Sequence, residues 1–311
     1  MYDVLVVGGG PAGLAAATWL ARYRRKVLVV DSREYRNRWV ESSHGYLGSD
    51  GTSPAALREA ARNDLGRYPY VELRAGCVSD LTKDGDWFVA TVDGECVRAL
   101  RVILATGVVD AFPKVEGFAE HYGASVFHCP TCDGYEARDR NVVVLGWGEQ
   151  IAGFALNLLD WAASVTVVTD CAELPERPLA GHGIRVVEAK PEAFEGERGR
   201  LRGLRVSTGE TIPCELAFFS VAHVPRNELA LGFGVDLVAE GCLAVDEHGE
   251  TKVPGLYAAG DLTPGMQLIQ VAAASGAVAG IGAALSLRGE PGVPGSPPPG
   301  PDVDAVLEES D

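Results

Sequence analysis

The chain begins with an apolar run that leads into a glycine-rich turn: Tyr2-Asp3-Val4-Leu5-Val6-Val7-Gly8-Gly9-Gly10-Pro11-Ala12-Gly13. An apolar run of this length is typical of a strand buried on both faces of a parallel sheet. Residues 14–22 are rich in alanine and leucine and predict a helix, and residues 26–30 predict a second strand that ends at Asp31. This order of strand, turn, helix and strand predicts a dinucleotide-binding unit.

Each glycine of the turn has a separate use in such a unit. Gly8 permits the tight turn, Gly10 lets the backbone approach a pyrophosphate, and Gly13 lets the helix pack closely on the strand. The N-terminus of the helix adds amide donors and the positive end of its dipole. Asp31 follows Gly8 by 23 residues, close to the roughly 20 expected for the acid that binds a ribose.

The same plan occurs a second time, which predicts two dinucleotide-type domains. The second copy consists of a strand (141–145), a turn (Gly146-Trp147-Gly148-Glu149-Gln150-Ile151), a helix (152–162) and a strand (165–169) that ends at Asp170. Ile151 stands where a small residue normally lets the helix pack, and Trp147 brings a bulky ring into the turn. No arginine cluster follows the second strand to hold a 2′-phosphate, although Asp170 could bind a ribose hydroxyl. The pattern disfavours NADPH, leaves NADH open, and favours a domain kept as a scaffold.

A cysteine pair precedes the second copy, in His128-Cys129-Pro130-Thr131-Cys132-Asp133-Gly134-Tyr135-Glu136. Such a pair can close a small disulfide ring, and neighbouring acid–base groups such as His128 and Asp133 help to form the nucleophilic thiolate near neutral pH. The alternatives are half a zinc site or an inert disulfide. The other five cysteines are scattered singly, so zinc lacks a second ligand pair. We therefore predict a redox centre and no metal.

Two further strand ends carry small residues. Residues 71–73, 87–92 and 97–104 predict an antiparallel meander, and its last strand ends in Ala105-Thr106-Gly107, which suits close approach to a ligand. Gly255-Leu256-Tyr257-Ala258-Ala259-Gly260-Asp261 predicts a short strand ending in small residues and an acid that can meet a ribityl chain or phosphate. Residues 267–287 predict a closing helix. The polar, glycine-broken stretch 33–53 predicts a long functional loop.

Composition limits the class of protein. A chain of 311 residues with 47% hydrophobic and 23% charged residues suits a globular protein of about two domains. A net charge of −16 disfavours nucleic acid and anionic membranes as partners. The seven cysteines show no framework spacing, the N-terminus has no signal-peptide pattern, and the apolar run 271–285 is too short to span a bilayer. We expect a cytoplasmic protein.

Together the four motifs resemble, in order, those of the low-molecular-weight thioredoxin reductases over residues 1 to about 288. The motifs are the glycine turn 8–13, Ala105-Thr106-Gly107, Cys129-Pro130-Thr131-Cys132-Asp133-Gly134 and 255–261. The resemblance implies an α/β fold of two Rossmann-like domains, each with a parallel sheet in three layers, an antiparallel meander, and the second domain inserted in the first. The implied parts are an FAD-binding domain (1–112 and 239–288) and an inserted NAD(P)-like domain with the cysteine pair (113–238). The composition of residues 289–311, rich in Pro and Gly and then acidic, predicts a disordered or loosely attached tail. A homodimer is implied as well.

The resemblance also implies residue roles. FAD would be held by the three strand-end motifs and their neighbours: Gly8, Gly10, Pro11, Ala12, Gly13, Asp31, Ser32, His44, Ala105, Thr106, Gly107, Gly260, Asp261, Gln270 and Val271. Cys132 would be nearest the isoalloxazine, Cys129 would exchange with substrate, and Asp133 and His128 would move protons. His44 could contact the flavin, shuttle a proton, or be a loop residue without a role.

Two departures point to one branch of that family. The NADPH features, a Gly-X-Gly-X-X-Ala turn and a His-Arg-Arg stretch, are absent at Gly146–Ile151 and Val168–Cys171, and the usual Arg-Gln pair reads Ile269-Gln270. The bacterial and fungal dithiol oxidases of the holomycin and gliotoxin type share such losses, and the stretch 128–136 and the loop His44-Gly45-Tyr46-Leu47-Gly48 also resemble them. In that branch a substrate dithiol reduces FAD and oxygen reoxidises it.

The expected function is therefore oxidation of a small-molecule dithiol to a disulfide, with O2 as acceptor and H2O2 as product. The alternative is a thioredoxin reductase driven by NAD(P)H or ferredoxin, with thioredoxin as partner. A third interpretation, a flavin-bearing redox sensor without turnover, stays open at this point.

Overall fold

The computed structural model describes residues 1–146, 150–170, 179, 181–220 and 222–288. The chain forms two compact units. The first unit comprises Met1–Arg36, Ala55–Val109 and the chain from Val224 onward, and the second comprises Asn37–Pro54 and Asp110–His223. The predicted tail 289–311 lies outside the described residues.

Seventeen strands and seven α-helices are described. The strands are β1 (Tyr2–Val7), β2 (Val27–Asp31), β3 (Val71–Ala75), β4 (Val78–Asp84), β5 (Trp87–Val92), β6 (Glu95–Leu104), β7 (Val108–Ala111), β8 (Val126–Phe127), β9 (Asn141–Leu145), β10 (Ser164–Val168), β11 (Arg185–Val187), β12 (Pro191–Glu197), β13 (Arg200–Val206), β14 (Thr211–Pro213), β15 (Leu216–Phe219), β16 (Ala222–Pro225) and β17 (Leu256–Ala258). The helices are α1 (Pro11–Arg22), α2 (Pro54–Leu65), α3 (Phe118–His121), α4 (Pro130–Asp133), α5 (Gln150–Leu158), α6 (Glu228–Leu231) and α7 (Ile269–Ser286).

The sheet of the first unit has the order β3-β2-β1-β6-β5-β4, and β17 also pairs with β6. The ten-residue strand β6 serves both parts of this sheet. Its first half pairs antiparallel with β5, and its second half pairs parallel with β17 through Val102, Ile103 and Leu104. The parallel sheet and the antiparallel meander are thus continuous.

The sheet separates two cores, which gives the first unit three layers. Successive residues of a strand point to opposite faces: Val4 and Val6 of β1 pack with α1 and α7, whereas Leu5 and Val7 pack with the meander. Burial of both faces explains why β1 is apolar at nearly every position.

Helix α7 packs against α1 with almost no space between the two backbones. A Cβ on Gly276 would lie 2.0 Å from the carbonyl oxygen of Ala12, and one on Gly280 would lie 2.6 Å from that of Ala16. Of the described helices, α7 alone is long and apolar enough to cross a membrane by length and composition. In this fold its glycine and alanine face covers α1.

The second unit repeats the parallel plan. Its sheet has the order β11-β10-β9-β15-β8, and all these pairs are parallel. Val142 and Val144 of β9 face α5, whereas Val143 and Leu145 face a core of aromatic side chains. A small antiparallel sheet, β12-β13-β14, completes this unit, and β7 and β16 pair with each other. Two Rossmann-type units confirm the predicted fold class.

Three details differ from the sequence prediction. Strand β3 is not part of the meander: it pairs parallel with β2, because helix α2 between them makes a crossover connection. The first strand of the meander is β4 instead. The return to the first unit occurs at residue 224 rather than 239, because Ala230 and Leu243 are buried in its core.

The third difference concerns the loop 37–54, which joins the second unit. Its contact there is close: a Cβ on Gly123 would lie 2.2 Å from the carbonyl oxygen of Trp39, and the Trp39 ring lies 6.1 Å from that of Tyr122. A polar, glycine-broken sequence gives no sign of this packing.

Candidate active site

The glycine turn of the first unit leaves no room for side chains at two positions. Gly8 has a left-handed φ of +113°, and a Cβ there would lie 2.3 Å from the carbonyl oxygen of Ala105. A Cβ on Gly13 would lie 1.9 Å from the carbonyl oxygen of Gly8. These contacts bring the strand, the helix and the Ala105 turn together, as the sequence predicts.

The same turn is open at Gly10. A Cβ at this position would meet nothing within 4 Å, and no side chain caps the N-terminus of the 12-residue helix α1 that follows. The first amides of a helix have no partner within the helix and carry its positive end. The start of α1 therefore offers space, amide donors and the positive end of the helix dipole, which together fit the pyrophosphate of a dinucleotide.

Asp31 lies directly beside this turn. A Cβ on Gly9 would lie 2.3 Å from its carboxylate, which accepts hydrogen bonds from the Arg33 amide (2.9 Å), from Arg62 Nη2 (2.5 Å) and from the Tyr35 hydroxyl. Burial, and then the bond to Asp31, raises the pKa of Tyr35. The sequence analysis missed Tyr35 and Arg62, and Arg62 stands on α2, which only the fold brings to this strand end.

The other two strand-end motifs reach the turn as well. Gly260 has a φ of +76°, and a Cβ there would lie 2.9 Å from Cβ of Ala12, so this motif lies against the start of α1. Thr106 donates a hydrogen bond to the carbonyl oxygen of Arg226 (2.6 Å), which fixes the Ala105-Thr106-Gly107 turn. The first unit therefore brings three of the predicted cofactor-binding motifs together.

Asp261 has a partner that the sequence analysis missed. Arg36 Nη1 lies 3.0 Å from Oδ2 of Asp261 and donates a second hydrogen bond to Oε1 of Gln267 (2.7 Å). One guanidinium thus joins the loop after β2 to the segment between β17 and α7. The separation of 225 residues between Arg36 and Asp261 leaves no signal in the sequence.

The remaining predicted cofactor residues are more peripheral. Ser32 follows Asp31 and is exposed, and Gln270 and Val271 stand in the first turn of α7, where Val271 is partly exposed. His44 lies in the second unit. Their roles toward a cofactor stay predictions.

In the second unit, the structure closes Cys129 and Cys132 as a disulfide with Cα atoms 5.2 Å apart. Cys129 caps helix α4, and the Cys132 amide donates a hydrogen bond to its Sγ (3.1 Å). A donor at this distance favours negative charge on Cys129 once the disulfide opens. A side chain at Gly134 is excluded, because a Cβ there would lie 2.5 Å from the ring of Trp161.

His128 is held by an aromatic cluster. Its Nδ1 lies 2.9 Å from the Tyr122 hydroxyl, and its ring lies 6.0 Å from that of Phe219. Trp39 and Phe112 border Tyr122 and are partly exposed. The cluster fixes the imidazole of the residue that precedes Cys129, which suits a group that moves protons.

Asp133 carries an altered proton affinity. Burial, and then the charge of Glu136, raises the pKa of Asp133 to about 7. His44 Nε2 lies 3.4 Å from Oε1 of Glu136, and His44 Nδ1 lies 3.7 Å from Oδ1 of Asp50. An acid with a pKa near 7 can both accept and return a proton at neutral pH. The sequence analysis missed the contact between His44 and Glu136.

The second unit has a large side chain at the third small position of its glycine turn. Ile151 is fully buried, and its Cδ1 lies 2.6 Å from the position of a Cβ on Gly146, so its side chain packs against the turn. Asp170 follows β10 and is exposed. The predicted effect of Trp147 and the position of Cys171 lie outside the described residues. Among the described residues, no group of three or more His, Cys, Asp or Glu could hold a metal ion.

Comparison with known proteins supplies the family. Residues 2–276 match the family model described as pyridine nucleotide-disulphide oxidoreductase. The chain belongs to that family. It is 30% identical to the protein named thioredoxin reductase aclD from Aspergillus oryzae, over 92% of this chain and 96% of the relative.

Solved structures agree with this assignment. The structure of HlmI is similar with a TM-score of 0.88 and 31% identity, over 99% of this chain and 96% of that one. An oxidoreductase from Agrobacterium tumefaciens gives a TM-score of 0.84 and 32% identity, over 92% and 98%. The protein is a flavin-dependent thiol–disulfide oxidoreductase with FAD as cofactor, and the open turn at Gly10 fits that cofactor.

Proposed function

We propose that this oxidoreductase is a dithiol oxidase, which converts a small-molecule dithiol to a disulfide and passes the electrons to O2. The difference at the third small position of the two glycine turns carries the proposal: Gly13 lets α1 lie against Gly8, whereas Ile151 fills that position in the second unit and packs against Gly146. The motif likeness to the holomycin- and gliotoxin-type oxidases supports it. The dithiol loses two electrons and two protons, and O2 takes up both to give H2O2.

The cysteine pair would carry the exchange. A substrate thiolate attacks Sγ of Cys129, the Cys129–Cys132 bond breaks, and Cys132 leaves as a thiolate with the electron pair. The second substrate thiolate then attacks the substrate sulfur of the mixed disulfide, which releases the cyclic disulfide product and Cys129. Asp133, whose pKa is about 7, accepts a proton from an incoming thiol, and His128, held by Tyr122, is the second group that moves protons.

FAD, when bound, supplies the two-electron chemistry that links the cysteine pair to oxygen. The residues that would hold it are the amides after Gly10 at the pyrophosphate, Asp31 at the ribose, and Asp261 near the ribityl chain. Arg36 would hold Asp261 in place.

The deciding experiment mixes the oxidised flavoprotein anaerobically with dithiothreitol or with NADPH and follows the flavin absorbance. We expect dithiothreitol to bleach the flavin and NADPH to leave it oxidised, and air to restore the colour with one H2O2 formed for each dithiothreitol oxidised. Cys129→Ser should abolish bleaching, whereas Cys77→Ser, which removes a free exposed cysteine of the first unit, should not. Bleaching by NADPH alone would refute the oxidase direction.

The second candidate function is a thioredoxin reductase, because relatives such as aclD carry that name. Asp170 would then serve a nicotinamide cofactor at its ribose, and thioredoxin would be the partner. NADPH- or ferredoxin-dependent reduction of thioredoxin would establish it. For both candidate functions we propose a homodimer in the cytoplasm. Light scattering would test the homodimer.

A further inference from the structure

The residues next to the cysteine pair include Glu136, whose contact with His44 has no assigned role. Helix α4 continues through Gly134, whose φ of −67° and ψ of −32° are helical, into a short 3₁₀ turn over Tyr135–Ala137. Asp133 and Glu136 are therefore three residues apart on one helical run and share a face. Both acids belong to the same surface of the second unit.

The two carboxylate oxygens of Glu136 have different surroundings. Its Oε1 lies 3.4 Å from Nε2 of His44, whereas its Oε2 is buried and has no hydrogen-bond partner among the described residues. A buried carboxylate oxygen without a donor keeps its charge poorly screened. The charge of Glu136 therefore acts on its neighbour Asp133.

We infer that Glu136 and His44 are positioning residues that decide when Asp133 holds its proton. The negative charge of Glu136 keeps the proton on Asp133, and the contact of His44 Nε2 with Oε1 of Glu136 (3.4 Å) weakens that effect. The inference rests on the disulfide exchange at Cys129–Cys132 in the proposed function. The loop that carries His44 would then take part in proton transfer at the cysteine pair.

The proton in question comes from the incoming thiol. When that thiol attacks Cys129, its S–H bond breaks and its proton goes to the Asp133 carboxylate. A new sulfur–sulfur bond forms, and Cys132 leaves with the electron pair of the old one. Asp133 must then release the proton before it can accept one from the second thiol, so its affinity has to lie near ambient pH.

Among the described residues, the other charged groups near Asp133 do not account for its raised pKa. Helix α5, which packs against α4, has no ionisable residue in Gln150–Leu158, and Asp160 lies beyond its end. Arg138 and Asp139, after Glu136, face each other at 3.7 Å. His128 is bonded to Tyr122. Oδ1 of Asp50 accepts a hydrogen bond from the Gly45 amide (2.7 Å) and lies 3.7 Å from Nδ1 of His44. Burial and Glu136 are accordingly the two causes that raise the pKa of Asp133.

The test follows the Asp133 carboxyl by NMR in the oxidised holoprotein labelled with ¹³C-aspartate, with its signal assigned by its loss in Asp133→Asn. We expect Glu136→Gln to move the titration midpoint of Asp133 down by about one pH unit, which makes Asp133 about tenfold more acidic. His44→Asn should shift the midpoint the opposite way by a smaller amount. The double variant should match Glu136→Gln alone, because His44 acts only through Glu136.

Glu247→Gln is the matched control, because Glu247 also faces a histidine (3.8 Å) but stands in the first unit; it should leave the Asp133 titration unchanged. An unshifted midpoint in Glu136→Gln, or equal shifts of the same sign in both single variants, would refute the inference. The titration needs neither oxygen nor NADPH, so its failure is separable from failure of the oxidase proposal.

The same variants carry a kinetic readout. The pH at which anaerobic bleaching by dithiothreitol reaches half its maximal rate should follow the NMR midpoint in each variant. A merely structural role of the pair would lower the rate at every pH and leave that midpoint in place.

Discussion

The glycine turns at Gly8 and Gly146 open two copies of one plan, yet they treat the third small position differently. In the first copy Gly13 brings α1 so close that a Cβ would lie 1.9 Å from the Gly8 carbonyl oxygen, and the space at Gly10 stays open. In the second, Ile151 puts its side chain against Gly146. The strands and the helix form in both copies. The parallel sheet therefore does not depend on a small residue at this third position.

In the second copy, the same arrangement of strands and helices carries the redox site. It holds the cysteine pair, with His128 fixed by Tyr122 and Gly134 fitted under Trp161. The comparison predicts that changes at the first turn act on the cofactor, and changes in the second unit act on thiol chemistry or stability.

The largest effect is expected for Gly13→Ile, which gives the first turn the residue that the second turn has at Ile151. Its Cβ alone would overlap the Gly8 carbonyl oxygen, so α1 must move away from β1, and we expect purified protein without flavin. Absorbance per chain measures the flavin content. Gly153→Ala, on α5 in open space, should keep full flavin and slightly raise the melting temperature. Yellow Gly13→Ile protein would contradict the comparison.

Asp133 in the second unit should make the free energy of unfolding depend on pH. The pKa of Asp133 is about 7 in the fold and about 4 in an unfolded chain. Folding therefore favours its neutral form, and this contribution is present below pH 4 and lost as the pH rises toward 7. Relative to Asp133→Asn, the wild type should lose up to about 4 kcal/mol of unfolding free energy over this interval.

Urea unfolding of both proteins at several pH values, followed through Trp fluorescence, measures that difference. Asp64→Asn, which removes an exposed acid paired with Arg67, is the control and should run parallel to the wild type. A pH-independent difference between wild type and Asp133→Asn would show that the carboxyl titrates normally.

Ile151→Ala tests whether the second turn is maintained for packing. The side chain is fully buried, so its truncation should cost about 3 kcal/mol of unfolding free energy and leave the flavin content unchanged. NADPH should still fail to bleach the flavin, because no arginine cluster follows β10 in the sequence. Urea unfolding gives the first result. Rapid bleaching by NADPH in this variant would mean that Ile151 alone closes the site.

The smallest effect is expected at Arg36. Arg36→Gln removes the charged partner of Asp261 and one bond to Gln267, which should weaken FAD binding about tenfold, the usual loss for a charge-assisted hydrogen bond. Fluorescence titration of the apoprotein with FAD measures the affinity. Arg67→Gln, from an exposed ion pair, should bind FAD normally. Unchanged affinity in Arg36→Gln would exclude Arg36 from the cofactor site.

Much of this architecture could be predicted because its signals are local. β1, α1, β9 and α5 follow from apolar runs and glycine spacing, and the cysteine pair from its neighbours. β4 was missed because only Val78 and Leu81 of its residues are buried, a spacing of three that does not alternate. The contacts of Arg62 with Asp31 and of His44 with Glu136 join distant segments. No local pattern encodes such pairs, so the electrostatics of both sites required the fold.

The contact between α7 and α1 has a consequence for biosynthesis. Gly276 of α7 lies against Ala12 at the start of α1, so the nucleotide pocket of the first unit is complete only after α7 has left the ribosome. The coenzyme therefore has to wait for α7 before it can be fully held. Premature termination anywhere before α7 would yield fragments that cannot retain it.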